Sequence, residues 1–394
     1  MAFRGVSAMD RKREFVRLAL AEGANRRELC RRFDVSATLG YRLLGRFQAE
    51  GDAGLSERSR RPASSPGRTS AAVEAAVLAV RAAHPAWGGR KIAAVLKRQG
   101  LAAPSPSTVT QILRRHGIEL GALGGGQEAF IRFEHPAPND LWQMDFKGHV
   151  PLRQGRLHPL TVLDDHSRFC LVLAACGDEK TQTVKGRLTE AFRRYGLPWR
   201  MTMDNGPPWG SGPGDPYTPL GVWLMEQDIG VGHSRPYHPQ TQGKDERFHR
   251  TLKAEVLTGP PFETLAHADR DLERWRGVYN TERPHEALGL LTPIDRYAAS
   301  PRPYCEAVEP FAYAPDDQLR RVPPHGRISF KNHLYRVPKA FSGKLIAVRP
   351  TPSDGVYDIV FRTKHITSID LTRPMEHPQP VTDVPEHPSP MSPV

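Results

Sequence analysis

The hydrophobic period of this chain changes twice, and no single folding pattern satisfies all three regimes. Up to about residue 118, apolar residues recur at helical spacing. From Leu141, short apolar runs alternate with helical stretches, and beyond about residue 305 only short runs remain. A chain of 394 residues divided in this way is expected to be multidomain.

The first regime holds two units of three helices. "RKREFVRLALAEG" gathers Phe15, Val16, Leu18 and Ala19 on one face and closes at Gly23. "NRRELCRRF" follows, and Ser36 is an N-cap for "ATLGYRLLGRF". Helix, short "DVS" turn and helix, with Arg42 and Arg46 outward, make a helix-turn-helix pattern that an ordinary three-helix bundle also fits. "LSERSRRPASSPGRTS", carrying Arg58, Arg60 and Arg61, reads as a basic linker. The pattern then repeats. "SAAVEAAVLAVRAAHP", "WGGRKIAAVLKRQG" and "SPSTVTQILRRHG" form three helices, the last capped by Ser107 and ending on Arg114 and Arg115. The expected units are 1–54, linker 55–69, 70–118 and a Gly-rich connector over 119–138.

In the second regime, "LWQMDFKGHV", "LHPLTVLDD" and "SRFCLVLAAC" read as strands. They lead to the helix "TQTVKGRLTEAFRRYG", the strand "WRMTMDNG", the helix "PLGVWLMEQDIG" and the short strand "GVGHS". Two more helices, "QGKDERFHRTLKAEVL" and "LAHADRDLERWRGVYNTE", complete a mixed α/β unit over 139–300. The third regime reads as five short strands over 301–373, the size of a small barrel. The tail, 374–394, is rich in proline and expected to be disordered.

Formal net charge is +12, which favours polyanionic partners, although a soluble basic protein shows the same excess. No apolar run is long enough for a membrane span. "MAFRGVSAMDRKREF" is charged and lacks the apolar stretch of a secretory signal. Four scattered cysteines suggest neither a metal site nor a disulfide framework, so a reducing cytosolic setting is expected.

Phosphoryl transfer with two metal ions needs two or three carboxylates converging on ions about 3.5–4 Å apart. Asp145 lies in the first strand of the mixed unit, Asp204 ends the fourth, and Glu246 lies on a helix. At about 100° per residue, Arg250 is about 40° and Lys253 about 20° from Glu246. Phe248, Leu252 and Val256 lie opposite and can bury that side. Glu246 thus points into a strip of cations with Lys244, Arg247, Arg250 and Lys253. Either Glu246 pairs with Arg250, or it holds a metal while the cations hold DNA phosphates. Asp164 and Asp165 read as structural acids of the "DDHSR" turn, and Asp245 as a weak rival to Glu246.

"LWQMDFKG", "MDNGPP" and "RPYHPQTQGKDERFHRTLK" resemble the three acidic blocks of the integrase-core DDE transposases of bacterial insertion sequences. "LCRRFDVSATLGYRLLGRFQAEG" and "HPAWGGRKIAAVLKRQG" are similar to the tandem helix-turn-helix modules of this group, and the likeness covers most of residues 10–300. It implies a multidomain fold: all-α helix-turn-helix modules, an α/β ribonuclease-H-like catalytic core and a small C-terminal β-barrel. It also implies Asp145, Asp204 and Glu246 as the metal-binding triad, with two Mg²⁺ ions per site and Mn²⁺ as a substitute.

The implied activity is cleavage at transposon 3′ ends and joining to target DNA, without a covalent enzyme–DNA intermediate. The implied partners are double-stranded DNA and further copies of the chain, as a dimer or tetramer, at the bacterial nucleoid. Arg42, Arg46, Arg58, Arg60, Arg61, Arg114, Arg115, Lys244, Arg247, Arg250 and Lys253 are the expected DNA contacts. Two departures stand out. The second and third acids are further apart than in many members, with "WGSGPGDPYTPLG" between them, and Gln242 replaces a frequent Asn. Alternative readings are a DNA-binding regulator or accessory subunit with an inactive core, or a nuclease that cuts without joining.

Overall fold

The computed structural model describes residues 7–58, 67–119, 134–210, 217–233 and 243–372. Arg60, Arg61, most of the Gly-rich connector, residues 211–216 of the Gly/Pro loop, Gln242 and the proline-rich tail lie outside the described residues. Two compact units result, Met1–Arg68 and Thr69–Val394. Among the described residues no helix is long and apolar enough to cross a membrane.

The first unit is built from α1 (Ala8–Ala19), α2 (Arg26–Arg32) and α3 (Ala37–Glu50). Each starts on a side-chain cap: Ser7, Asn25 and Ser36 accept from the backbone N–H three residues on. Phe15, Val16, Cys30, Leu43 and Leu44 close the core beneath them. Gly40 lies where a Cβ would stand 2.5 Å from the Cys30 sulfur, so only glycine lets α3 approach this closely.

The second unit begins with α4 (Ala71–Ala83), α5 (Gly89–Arg98) and α6 (Pro106–Arg115), packed around Val77, Trp87, Ile92, Leu96, Val109, Ile112 and Leu113. The cap of α6 is Ser105, not Ser107, because Pro106 takes the first helical position, where its missing N–H costs nothing. Glu74 of α4 is buried at 7% exposure and accepts from Arg115 at 2.8 Å. Glu74→Ala would remove this pair and the 3.4 Å contact with His116, while the exposed Arg115 stays in water, and is expected to cost about 1 kcal/mol. The check is loss of helical circular dichroism at lower urea; an unchanged midpoint would count against the pair.

The mixed unit has one six-stranded sheet. Its strands are β1 (Trp142–Phe146), β2 (Val150–Pro151), β3 (Arg156–Asp164), β4 (Cys170–Cys176), β5 (Arg200–Met203) and β6 (Gly230–His233). β3 pairs antiparallel with β1, β2 and β4, while β5 runs parallel to β1 and β6. Alternation along the strands makes two faces. Trp142, Met144, Leu160 and Val162 meet α7 (Thr181–Tyr195) and α8 (Pro219–Glu226) on one. Leu157, Leu163, Cys170 and Leu173 meet α9 (Gly243–Leu252) and α10 (Leu265–Thr281) on the other. This is a helix–sheet–helix sandwich, an integrase-type, ribonuclease-H-like core.

The C-terminal part corrects the barrel expectation. β7 (Gln318–Arg321), β10 (Leu345–Pro350), β11 (Val356–Phe361) and β12 (Lys364–Asp370) form one four-stranded sheet, ordered β12-β11-β10-β7. β8 (Arg327–Phe330) and β9 (His333–Arg336) form a separate hairpin. Among the described residues the pairings do not close into a ring. The strands instead bury Ile328, Phe330, Val337 and Phe341 against Val222 and Met225 of α8. β7 escapes sequence reading because "QLRR" has one apolar residue, Leu319, and that side chain is exposed.

Candidate active site

The sheet register brings the first two acids together. β1 and β5 run parallel with Trp142 opposite Met201 and Gln143 opposite Thr202. Carried two residues past the last paired positions, the same alignment brings Asp145 alongside Asp204, just beyond the end of β5, and the Asp204 charge acts on the Asp145 carboxyl. Trp142, Met144, Met201 and Met203 all point into the α7/α8 core. By alternation, Asp145 and Asp204 share the opposite face, where α9 lies. The Asp145 side chain is 26% exposed. Burial pushes its carboxyl up to about 6, against a hydrogen bond from the Phe146 backbone, and the Asp204 charge pushes further in the same direction. Asp204 ends β5 in the open. Its Oδ1 accepts from the Asn205 N–H at 2.7 Å, and its carbonyl stands 3.1 Å from His233 Nδ1.

α9 packs across β1 with a buried stripe of Asp245, Phe248, His249 and Leu252. Phe248 meets the edges of Trp275 and Tyr279 on α10. Glu246, Arg247 and Arg250 stay exposed, as does Lys253 at the start of the π-helical turn Lys253–Leu257. The cationic strip beside Glu246 is therefore present at the surface, except for Lys244. Lys244 turns inward onto the Asp165 carboxylate. Burial first, and then the Arg168 charge, holds its ammonium down at about 8.

Asp165 also accepts from the His135 N–H at 2.8 Å and Gln143 Nε2 at 2.7 Å. Asp164 accepts from Asn139 N, Ser167 N and Ser167 Oγ, which folds the "DDHS" turn. These acids hold the scaffold, and Asp165 in addition ties down the first turn of α9.

Asp245 is 2% exposed, and its carboxyl is raised by burial, by Asp145 and by Asp165. It is thus the α9 acid nearest in field to the first carboxylate. Its place on the stripe with Phe248, His249 and Leu252 was legible from the i, i+3, i+4, i+7 spacing. His249, three residues after Glu246, is 8% exposed and stands with Nδ1 3.9 Å from Asp145 Oδ2. Burial holds its imidazole down at about 4, so the ring is neutral.

The remaining expected DNA contacts divide into free and engaged side chains. Arg42 and Arg114 are exposed on α3 and α6. Arg46 donates to the Ser56 carbonyl at 2.5 Å, and Arg58 pairs with Glu50. Arg115 is held by Glu74. Sequence reading missed how α5 docks on the core. Arg98 bonds Thr292 and Asp295, and Arg90 reaches Glu286 at 3.5 Å.

Among the described residues no three His, Cys, Asp or Glu side chains stand together as a ready-made metal cage. Asp145 and Asp204 are nonetheless hard oxygen donors close enough to act on one another, and a divalent cation held by them would offset both the burial of the Asp145 charge and the field of Asp204. The pair therefore fits Mg²⁺, which needs few protein ligands.

Residues 135–239 and 227–293 match two models described as integrase core domain. Residues 11–63 match a helix-turn-helix domain, and 40–113 a homeodomain-like domain. Residues 317–376 match the C-terminal domain of IS481 family transposases. An insertion element IS407 protein of 31.7 kDa from Burkholderia multivorans is 27% identical over 229 residues, 57% of this chain and 80% of the relative. An insertion element IS476 protein of 39.2 kDa from Xanthomonas euvesicatoria is 30% identical, over 42% of this chain and 46% of the relative. A chain of the simian T-cell lymphotropic virus intasome is 14% identical and covers 77% of this chain, with a TM-score of only 0.37. Helix-turn-helix modules, an integrase core and an IS481-type C-terminal domain follow one another in this order, and the chain belongs to the integrase-core transposases of insertion sequences.

Proposed function

We propose that this chain cuts at the 3′ ends of an insertion sequence and joins those ends to target DNA. Asp145, Asp204 and Glu246 are the catalytic carboxylates. The observation that carries this reading is the Asp145–Asp204 pair at the ends of the paired strands β1 and β5, with the Asp145 carboxyl raised by burial first and by the Asp204 charge as well. An integrase core typically takes a divalent metal. Two Mg²⁺ ions, or Mn²⁺ in their place, held by the three acids would supply Lewis-acid stabilisation of the entering and leaving oxygens.

The chain's own residues do the rest. Asp145 and Asp204 concentrate negative charge on the α9 face. Glu246 lies on the exposed side of α9, one turn before the histidine that faces Asp145. Arg247, Arg250 and Lys253 beside it contact phosphates without reading sequence. Arg42 and Arg114, on the last helix of each helix-turn-helix unit, face the terminal repeats. Joining two ends requires two active sites, so the working form is a dimer or tetramer on double-stranded DNA, at the nucleoid in the cytoplasm. The units are 1–54, 70–118, 139–300 and 301–373.

A second reading, a DNA-binding regulator with an inactive core, is favoured by the absence of a three-acid cluster among the described residues. One experiment separates the two. Purified protein is incubated with Mg²⁺, labelled duplexes of the DNA flanking its gene and a target plasmid, beside Asp204→Asn. Joined product from wild type and none from the variant is expected. End binding without cutting or joining, in Mg²⁺ and Mn²⁺ alike, would establish the regulator.

A further inference from the structure

We propose that Thr161 and His249 form a buried tautomer lock that keeps the Asp145 carboxylate free for a cation, which makes both of them positioning residues. The inference deepens, and rests on, the reading of Asp145 as a cation ligand.

Thr161 lies directly opposite Asp145 in the β1–β3 register, so both side chains leave the same face. Thr161 is 0% exposed. Its Oγ1 stands 2.9 Å from the Asp145 backbone carbonyl and 3.0 Å from His249 Nε2. A carbonyl only accepts, so the single hydroxyl proton goes to Asp145. Toward His249 the same oxygen must then accept, and the imidazole must carry its proton on Nε2. His249 Nδ1 is left bare, and it is the atom that faces Asp145 Oδ2 at 3.9 Å.

The opposite tautomer would present an N–H to the carboxylate. It would draw the ring onto Asp145 in a charge-assisted hydrogen bond and compete with any cation for the same oxygen. With the proton held on Nε2, the ring walls one side of Asp145 without binding it. His249 is buried and packs beside Phe248, so it has little freedom to turn away. Each of the three groups has one role, and each role follows from the counting of protons.

The test uses the full chain labelled with ¹⁵N-histidine, with the His249 resonances assigned by their loss in His249→Gln. Imidazole ¹⁵N shifts report the tautomer directly. Calorimetry with Mn²⁺ alone, in wild type and Asp145→Asn, reports the cation. The expected wild type carries its proton on Nε2 and binds Mn²⁺ in a manner that Asp145→Asn removes. Thr161→Val is expected to populate the Nδ1–H form and to weaken Mn²⁺ about tenfold, and Thr161→Ser to restore both.

A wild-type ring protonated on Nδ1 would overturn the lock, and this measurement needs no variant to fold. A displaced tautomer in Thr161→Val with unchanged Mn²⁺ affinity would overturn it as well. Wild type without Asp145-dependent Mn²⁺ binding would sink the cation-ligand reading itself, and the inference with it.

Discussion

Asp145→Asn is expected to abolish strand joining by more than about 10³-fold and, at the same time, to make the metal-free protein more stable. The loss of activity follows from the proposed role of Asp145 as a primary metal ligand. Partners that only orient such a ligand already cost about 10–100-fold when removed. The gain in stability follows from the sign of the shift. Asp145 titrates at about 6 in the folded chain against an ordinary 3.8, because burial and Asp204 disfavour its charge. Its contribution to stability is therefore complete below about pH 4 and is lost as pH rises through about 6.

At pH 7.5 the carboxylate is charged in both states, and the folded state bears the cost, on the order of 3 kcal/mol. Asparagine has the same shape and no charge to desolvate. The variant should melt a few degrees above wild type at pH 7.5, with the difference shrinking toward pH 4. Added Mg²⁺ should raise the melting temperature of wild type and leave the variant nearly unchanged. A metal-free variant that melts at or below wild type at pH 7.5 would mean that Asp145 is not strained.

What could be read from the sequence was whatever repeats locally. Helical spacing in "RKREFVRLALAEG" and strand runs such as "CLVLAAC" depend on neighbours a few residues away, and these elements stand where they are expected. The Asp145–Asp204 pair was accessible through the family likeness, and the β1–β5 register gives it a geometric reason. Long-range polar pairing was not accessible. Lys244 meets Asp165 at a separation of 79 residues, Arg115 meets Glu74 at 41, and Arg98 meets Asp295 at 197. Nothing in a basic side chain's own neighbourhood says whether it faces phosphate or a partner across the fold. That is why two of the expected DNA contacts, Lys244 and Arg115, are turned to internal carboxylates. The closed barrel failed for a related reason. Strand number and length were close, but closure depends on which edges meet, and among the described residues the hairpin β8–β9 pairs only with itself.

The two adjacent acids of α9 offer the sharpest division of roles. Glu246 is exposed, so Glu246→Gln is expected to leave the melting temperature within the range of an ordinary surface change, about ±0.5 kcal/mol. Joining should nevertheless fall by more than about 10³-fold under the proposed role of Glu246 as a metal ligand, because an amide cannot replace a ligand carboxylate. Asp245 is 2% exposed, and its carboxyl is raised by burial and by the fields of Asp145 and Asp165. Asp245→Asn keeps the shape and removes a charge that burial disfavours, so joining should stay within about tenfold and stability should not fall by more than about 1 kcal/mol. Melting curves and joining assays on the pair decide the matter. The reverse pattern, with Asp245→Asn inactive and Glu246→Gln active, would move the chemistry to the buried acid. Asp145, Asp245 and the ring of His249 would then share one pocket on the inner face of α9, and the surface strip of Glu246, Arg247, Arg250 and Lys253 would serve DNA binding alone.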